Sequence, residues 1–239
     1  MNTLADVGKC QTVLDLELRP VSTAKQQPET TGLRAITISR QAGCGAAEVA
    51  ERLTERLKNH DAAAPAPWTV FDRNLIEQVL KDHNLPAHFS KHLPEDRVFE
   101  IQDVIDELFG LHPPTWTIME YTKETILRLT RLGHVILIGR GAHMITANMP
   151  GVFHVRLIAS PADRIEHAQR CYEMTLTEAR EFVAREDKGR ARYLKKYFEV
   201  EADDPLNYHL VINTSKVSYD AAADLIYVTA TGGKHSGTK

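Results

Sequence analysis

Five short runs of apolar or β-branched residues predict five buried strands of a parallel sheet. They occupy residues 35–38, 68–71, 135–138, 152–158 and 210–214. The run at 135–138, Val-Ile-Leu-Ile, is the most apolar, as is typical of a strand in the middle of such a sheet.

Between these runs, apolar residues recur at helical spacing. Residues 46–58 place Val49, Leu53 and Leu57 on one face of a helix, while glutamates and arginines take the other. The same periodicity predicts further helices at 98–108, 118–132 and 218–228, and helix starts at 160–161 and 177. Strands and helices in this order predict an α/β domain.

The turn between the first strand and the first helix contains two glycines, and we call residues 39–45 the glycine loop. Gly43 and Gly45 permit positive φ angles and a close approach to the backbone. The N–H groups that begin the next helix point at the same place, which suits a phosphate. The alternative is a plain strand-to-helix turn that uses glycine for tightness. We expect Cys44 to fill this tight loop as a small residue rather than to act as an oxidation-sensitive thiol.

The glycine loop departs from the Walker A pattern G-x-x-x-x-G-K-[ST]. With Gly45 aligned to the second glycine, Arg40 takes the place of the first glycine and Ala46 that of the lysine. The loop therefore lacks the usual phosphate-binding lysine, and Arg40 is the candidate to replace it.

Charged residues follow two other predicted strands. Asp72 and Arg73 leave the strand at 68–71, at the edge where parallel sheets bind ligands. Asp72 also suits a helix N-cap, and one residue can serve both purposes. Arg140 leaves the strand at 135–138 between two glycines, so its guanidinium can reach a phosphate over the sheet; the alternative is a solvent-exposed turn arginine.

A dense run of charge occupies residues 185–196. Such a run usually forms a solvated helix face. A second interpretation is a lid that closes on transferring phosphates. Its arginines would be Arg185, Arg190 and Arg192, and Asp187 could orient one of them.

Bulk composition narrows the classes of function. With 239 residues and 43% hydrophobic content, the chain suits one α/β domain with additions. A net charge of −3 and a pI near 6.4 argue against a dedicated nucleic-acid binder. No apolar run approaches the roughly 20 residues of a membrane span, and the N-terminus lacks a signal-peptide pattern. We therefore expect a cytoplasmic protein without nucleic-acid or membrane partners.

No spacing in the sequence is typical of a metal site. Cys10, Cys44 and Cys171 lie far apart, and the histidines between residues 83 and 92 lack nearby cysteine or carboxylate company. The sequence therefore predicts no metal held by the protein's own residues.

Six segments, taken in order and spacing, resemble the cytidylate kinase-like family, a branch of the P-loop nucleoside monophosphate kinases. The resemblance spans about residues 34–228. Its motifs are ISRQAGCG at 38–45, FDRNLI at 71–76, LIGRGA at 137–142, HVRLIASPADRI at 154–165, the Asp187/Arg190 pair, and YHLVINTS at 208–215.

The resemblance implies a three-layer P-loop NTPase fold with a central parallel sheet flanked by helices. The domain would cover residues 34–229, with a helical insert at about 83–133 and a lid at about 184–200. Residues 1–33 are expected to form a mobile N-terminal arm, which also offers a contact for a homo-oligomer, and residues 230–239 a disordered tail.

The resemblance also implies roles for individual residues. Mg²⁺ would accompany ATP and bridge its phosphates. A nucleoside monophosphate would lie near Asp72, Arg73 and Arg140, and the catalytic set would be Arg140, Arg185, Asp187 and Arg190. The ATP phosphates would lie over Arg40, Gln41, Gly43, Cys44, Gly45 and Ala46.

Three departures from the family pattern leave two functions open. Cytidylate kinases have acidic residues where this chain has Ile138 and Gly141, and Ala46-Ala47 supplies neither a lysine nor the arginine that similar relatives place next. Glu48 either holds a metal through water or is a first-turn helix carboxylate.

One function is a kinase that phosphorylates CMP, dCMP or a related acceptor from ATP. The other is a catalytically weak or inactive member that binds a nucleotide or another phosphate ligand as a sensor or interaction module.

Overall fold

The computed structural model describes residues 32–60, 67–72 and 115–232, together with residues 75, 79, 82 and 83. Several predicted features lie outside this part of the chain. They are Arg73, the helix predicted at 98–108, most of the predicted arm and insert, and residues 233–239. The elements follow in chain order: β1 (Ala35–Arg40), α1 (Ala46–His60), β2 (Thr69–Phe71), α2 (Thr115–Leu132), β3 (Val135–Ile138), α3 (Ala142–Ile145), β4 (Val152–Ile158), α4 (Pro161–Tyr172), α5 (Leu176–Phe198), a 3-10 turn (Pro205–Asn207), β5 (Leu210–Asn213) and α6 (Tyr219–Thr231).

The five strands form one parallel sheet in the order β2-β3-β1-β4-β5. All five predicted strands are confirmed. β1 extends two residues beyond the predicted end, to Arg40, because its last residues continue to pair with Arg156 and Leu157 of β4. This extension carries Ser39 and Arg40 to the carboxyl edge of the sheet.

Apolar residues cover both faces of the sheet, as the unbroken apolar runs predict. Ile36 and Ile38 of β1 pack on one side with α1 and α6. Ala35 of β1 and Leu137 of β3 pack on the other side with α2 and α3. The fold therefore has three layers with the sheet in the middle, which confirms the predicted fold class.

The helix starts after β4 and β5 follow local sequence signals. The Ser160 hydroxyl accepts the N–H of Asp163, and Pro161 occupies the first turn of α4. Ser218 caps α6 in the same way. Both starts agree with the sequence prediction.

Helix α5 is one continuous helix of 23 residues. It begins in a capping box, in which Thr175 and Glu178 each bind the other's backbone N–H. The segment predicted as a lid, at about 184–200, is therefore mostly the second half of a helix that starts elsewhere. None of the described helices is both long and apolar enough to cross a bilayer.

Candidate functional site

A cavity of about 80 Å³ lies at the carboxyl edge of the sheet. The ends of β1, β3 and β4 form its floor, and α5 covers it. This edge is where open parallel sheets bind their ligands. Three cations and two carboxylates line the cavity: Arg40, Arg156, Arg190, Asp187 and Asp203.

Arg156 is a buried cation within β4. Only 5% of its surface is exposed, and its guanidinium donates to the Ser39 hydroxyl at 2.9 Å and to the Asp203 carboxylate at 2.6 Å. The guanidinium also lies over the Tyr208 ring, 5.8 Å from its centroid. Sequence reasoning missed this residue, although an arginine inside an apolar strand is the signal that marks it.

Arg40 and Asp72 meet at the same edge. The Arg40 guanidinium lies 3.4 Å from the Asp72 carboxylate, and the arginine side chain is 13% exposed. Arg40 ends β1 and Asp72 follows β2, and β3 lies between these two strands. The ion pair therefore spans the end of β3 and joins the predicted phosphate-binding and acceptor-binding sides.

Arg190 reaches the cavity from α5. Its guanidinium donates to Glu186 at 3.1 Å and lies 3.8 Å from an oxygen of Asp187. Glu186 and Arg190 are both 15% exposed, so the pair is largely shielded from water. The lid segment therefore brings at least one predicted arginine over the sheet edge.

Asp187 joins α5 to the glycine loop. One carboxylate oxygen accepts the backbone N–H of Ala42 at 2.7 Å, and the other is paired with the buried guanidinium of Arg164. The sequence interpretation had Asp187 able to orient a lid arginine, and its carboxylate does lie 3.8 Å from the guanidinium of Arg190. Its hydrogen bonds also join it to α4 and the loop. The loop was predicted to bind phosphate, but one of its N–H groups, that of Ala42, already donates to a carboxylate of the protein.

Both glycines of the loop have φ of 77°, as expected. A Cβ on Gly43 would lie 2.3 Å from the carbonyl oxygen of Arg164, and one on Gly45 would lie 2.2 Å from the Tyr219 ring. The close approach that glycine permits here is thus made by α4 and α6. Ala46 is buried in the core beside them and presents no charge.

The remaining loop residues are fixed by neighbouring backbone. The Gln41 side-chain oxygen accepts the N–H of Ala159 at 3.1 Å, and the Cys44 carbonyl accepts the Thr214 hydroxyl at 3.0 Å. Burial raises the pKa of the Cys44 thiol to about 11, so it stays protonated and poorly nucleophilic near neutral pH. This agrees with its predicted role as a small filling residue.

Arg140 and Arg185 do not line the cavity. Arg140 has a φ of 55°, between two glycines that also have positive φ. Its carbonyl accepts the Tyr193 hydroxyl at 3.2 Å. Such backbone strain in a non-glycine residue clusters at functional sites. Arg185 is exposed, with its guanidinium 5.8 Å from the centroid of the Phe182 ring.

The carboxylates around the cavity are engaged by arginines rather than arranged for a cation. Asp72 pairs with Arg40, Asp203 with Arg156, and Asp187 with Arg164. These three carboxylates are therefore not arranged as the near-octahedral oxygen ligands of a dedicated Mg²⁺ site.

A second polar cluster lies outside the cavity lining. The Glu48 carboxylate is 2.7 Å from Nε2 of His167, and Cys171 lies beside both. The hydrogen bond from His167 is the main cause that lowers the pKa of Glu48, and burial works against it. Sequence spacing could not reveal this cluster, because Glu48 is on α1 and the other two residues are on α4.

A five-stranded parallel sheet in this order, with a glycine loop between the first strand and first helix, defines a P-loop kinase-like protein. A sequence model of the cytidylate kinase-like family matches residues 35–216. The chain belongs to that family, which confirms the resemblance drawn from the motifs.

A solved structure shows the same fold. An uncharacterized protein from Eubacterium ventriosum superposes with a TM-score of 0.61 at 18% identity, over 82% of this chain and 98% of that one. Shikimate kinase from Acinetobacter baumannii, in complex with shikimate, gives a TM-score of 0.47 at 14% identity, over 84% and 95% of the two chains. The second score is too low to support a conclusion.

One curated protein shares a short similarity. A uronate isomerase from Corynebacterium glutamicum is 27% identical over 94 residues, which is 39% of this chain but 18% of that protein. The match spans less than a fifth of the isomerase and says nothing about the chemistry of this site.

Proposed function

We propose that this protein binds phosphate-bearing ligands in the cavity at the sheet edge and transfers a phosphoryl group from ATP to CMP, dCMP or a related small acceptor. The observation that supports this is the convergence of Arg40, Arg156 and Arg190, from β1, β4 and α5, on one cavity. Converging guanidinium groups are what phosphate recognition requires.

Phosphoryl transfer asks little covalent chemistry of a protein. It needs two anions held in line and charge neutralised on the moving group. Arg156 suits a fixed phosphate contact, because its guanidinium donates hydrogen bonds to Ser39 and Asp203. Arg190 suits a phosphate contact that moves with α5, because it belongs to this helix, which covers the cavity.

The missing Walker lysine is the main chemical obstacle. A hydrogen bond to a charged group contributes roughly 1.5–3 kcal/mol, and more at a transition state. Arg40 follows Ser39 at the end of β1 and lines the cavity, so the glycine loop itself retains a positive charge. We propose that Arg40 supplies the charge that Ala46 cannot.

Binding needs a rearrangement of α5. The cavity of about 80 Å³ is small beside the roughly 300–1,000 Å³ of typical ligand sites. The Ala42 N–H becomes available to a phosphate only when Asp187 releases it. We propose that this helix moves outward when ATP and the acceptor enter.

Calorimetric titration of Mg-ATP and then CMP, with product measured in the same mixture by ³¹P NMR, tests the proposal. We expect saturable binding and formation of ADP and CDP. Arg156→Met should weaken ATP binding at least about tenfold, since it removes a charge-assisted contact. Arg180→Met is the matched control, because Arg180 is an exposed arginine of α5. Failure of both nucleotides to bind would refute the proposal.

A second candidate is a binding protein without transfer, acting as a nucleotide or phosphate sensor. Two observations favour it: the Ala46-Ala47 sequence and the Asp187 carboxylate already bound to the Ala42 N–H. ATP binding without CDP formation over many hours would select this candidate. We further propose a cytoplasmic location; a homo-oligomer remains an expectation that sedimentation of the full chain can test.

A further inference from the structure

We propose that Glu48, His167 and Cys171 form a binding site for Zn²⁺ beside the glycine loop. The three side chains supply one carboxylate oxygen, one imidazole nitrogen and one sulfur, all within 4.8 Å of one another. Zinc favours this mixture of ligands. The inference does not depend on the proposed function, because none of the three residues lines the cavity.

The spacing of the ligand atoms suits tetrahedral coordination. Standard zinc bond lengths put a nitrogen and a sulfur about 3.6 Å apart, and an oxygen and a sulfur about the same distance. The observed distances from Cys171 Sγ are 3.6 Å to His167 Nε2 and 3.8 Å to Glu48 Oε1. Nε2 and Oε1 are 2.7 Å apart, a hydrogen-bond distance that would open to about 3.3 Å around the metal.

The same geometry argues against a nucleophilic Cys-His-Glu triad. In a triad, the nucleophile and the carboxylate bind opposite nitrogens of the imidazole. Here both Glu48 and Cys171 face Nε2, while Nδ1 of His167 is buried and has no hydrogen-bond partner. A proton on Nε2 can serve one neighbour well, whereas a metal ion can bind all three groups.

Rigid elements hold the ligands in place. His167 and Cys171 are four residues apart on α4, so they project from the same face of the helix. Glu48 is in the first turn of α1, directly after the glycine loop. Only 8% of His167 is exposed, but Cys171 is open to solvent. A fourth coordination position is therefore accessible to water or an anionic ligand, as in open zinc sites.

The unpartnered Nδ1 sets an expectation for affinity. Zinc-bound histidines usually donate their other N–H to an acceptor, and loss of that bond typically weakens metal binding by about 10- to 100-fold. We therefore expect a reversible site that a strong chelator empties without unfolding the protein.

Titration of chelator-treated full-length protein with Co²⁺ tests the site, in a thiol-free reducing buffer. We expect one Co²⁺ per chain, a sulfur-to-cobalt charge-transfer band, tetrahedral d–d absorption, and displacement by Zn²⁺. Cys171→Ser should abolish the charge-transfer band, and Glu48→Gln should weaken binding at least about tenfold. Cys10→Ser is the matched thiol control and should leave the band unchanged.

The decisive variant does not threaten folding, because Cys171 is exposed, and an unchanged thermal midpoint of Cys171→Ser would verify this. A charge-transfer band that survives in Cys171→Ser would overturn the proposal. So would wild-type protein that binds no Co²⁺ at several hundred micromolar. ATP binding by the same preparations is measured separately, so failure of the metal site is distinguished from failure of the nucleotide site.

Discussion

His154 in β4 is a buried histidine that folding keeps neutral. It is 5% exposed, its Nδ1 lies 2.8 Å from the Thr37 hydroxyl, and its ring stacks on His209 with centroids 4.9 Å apart. Burial, and to a lesser extent the neighbouring His209, lowers its pKa from the ordinary value of 6.5 to about 4.

This pKa predicts a loss of stability in mild acid. The unfolded chain binds a proton at this residue near pH 6.5 and the native chain only near pH 4, so the contribution is complete above pH 6.5. It is lost as the pH falls toward 4 and is worth about 3 kcal/mol at most. Urea unfolding of wild type and His154→Asn at several pH values measures it: the stability gap between them should shrink or reverse in acid.

The control for this prediction is His134→Asn. His134 has a φ of 53°, which asparagine tolerates, and it is less buried than His154. The urea series measures its stability gap to wild type at the same pH values, for comparison with that of His154→Asn. A pH-independent gap for His154→Asn would show that the ring does not titrate as described.

At the residue scale, sequence reasoning succeeded where the neighbours in the chain decide the outcome. The positive φ of Gly43 and Gly45 is an example, because glycine is the usual residue at such turns. It failed for Arg156, because the groups that hold this buried cation, Ser39 and Asp203, are far from it in sequence. The local signal, an arginine inside an apolar strand, does not show which groups hold the guanidinium.

At the scale of elements, the glycine loop is wedged between α4 and α6. We predict that Gly45→Ala destabilises the protein for two separate reasons. The positive φ costs an alanine about 1–2 kcal/mol, and the new Cβ would lie 2.2 Å from the Tyr219 ring. Denaturant unfolding should therefore give a loss clearly greater than the φ cost alone.

Gly232 provides the matched control. Its φ is 69°, but a Cβ there would meet nothing within 4 Å. Gly232→Ala should show the φ cost alone, and replacing Tyr219 with leucine should recover part of the loss in Gly45→Ala. Equal losses at Gly45 and Gly232 would contradict the packing role of the loop.

The contact between α5 and the loop depends on Asp187. We predict that Asp187→Ala exposes the Ala42 amide, which hydrogen exchange resolves as lost protection at that residue. It should also lower stability by about 2–4 kcal/mol, because Arg164 keeps a buried charge without its carboxylate partner. Pyrophosphate serves as a simple phosphate probe of the cavity. Its affinity for this variant should rise, because it no longer competes with the Asp187 carboxylate for the Ala42 N–H.

Glu181→Ala is the control for Asp187→Ala, because Glu181 is an exposed acid of the same helix. It should change neither the protection of Ala42 nor the pyrophosphate affinity. Weaker pyrophosphate binding in Asp187→Ala would mean that Asp187 assists the anion rather than competing with it.

Sequence patterns predicted which helices and strands exist better than they predicted where each one ends. The capped starts of α4 and α6 follow Ser160 and Ser218, which act through bonds to nearby residues. The last two residues of β1 could not be placed in the strand, because they pair with residues of β4 more than a hundred positions away. The continuity of α5 was hidden by its charge, which makes the apolar stripe narrow.

At the scale of the whole molecule, the site exists because the chain order and the strand order differ. β1 lies between β3 and β4, so Arg40 at its end lines the same cavity as Arg156 of β4 and Arg190 of α5. Periodicity predicts parallel strands but cannot order them, since every strand shows the same apolar pattern. The family motifs implied the fold that the sheet now shows, while the convergence of the three arginines required the structure.

Because the cavity joins the sheet to the helix that covers it, an anion bound there should stabilise the whole fold. Pyrophosphate at 100 times its dissociation constant should add about 2.7 kcal/mol and raise the thermal midpoint by roughly 5–10 °C. Scanning calorimetry of wild type and Arg156→Met, with sodium chloride at equal ionic strength as the blank, measures this shift. The variant should show a much smaller rise. Equal rises in both proteins would place the anion elsewhere on the molecule and remove the main support for the phosphate site.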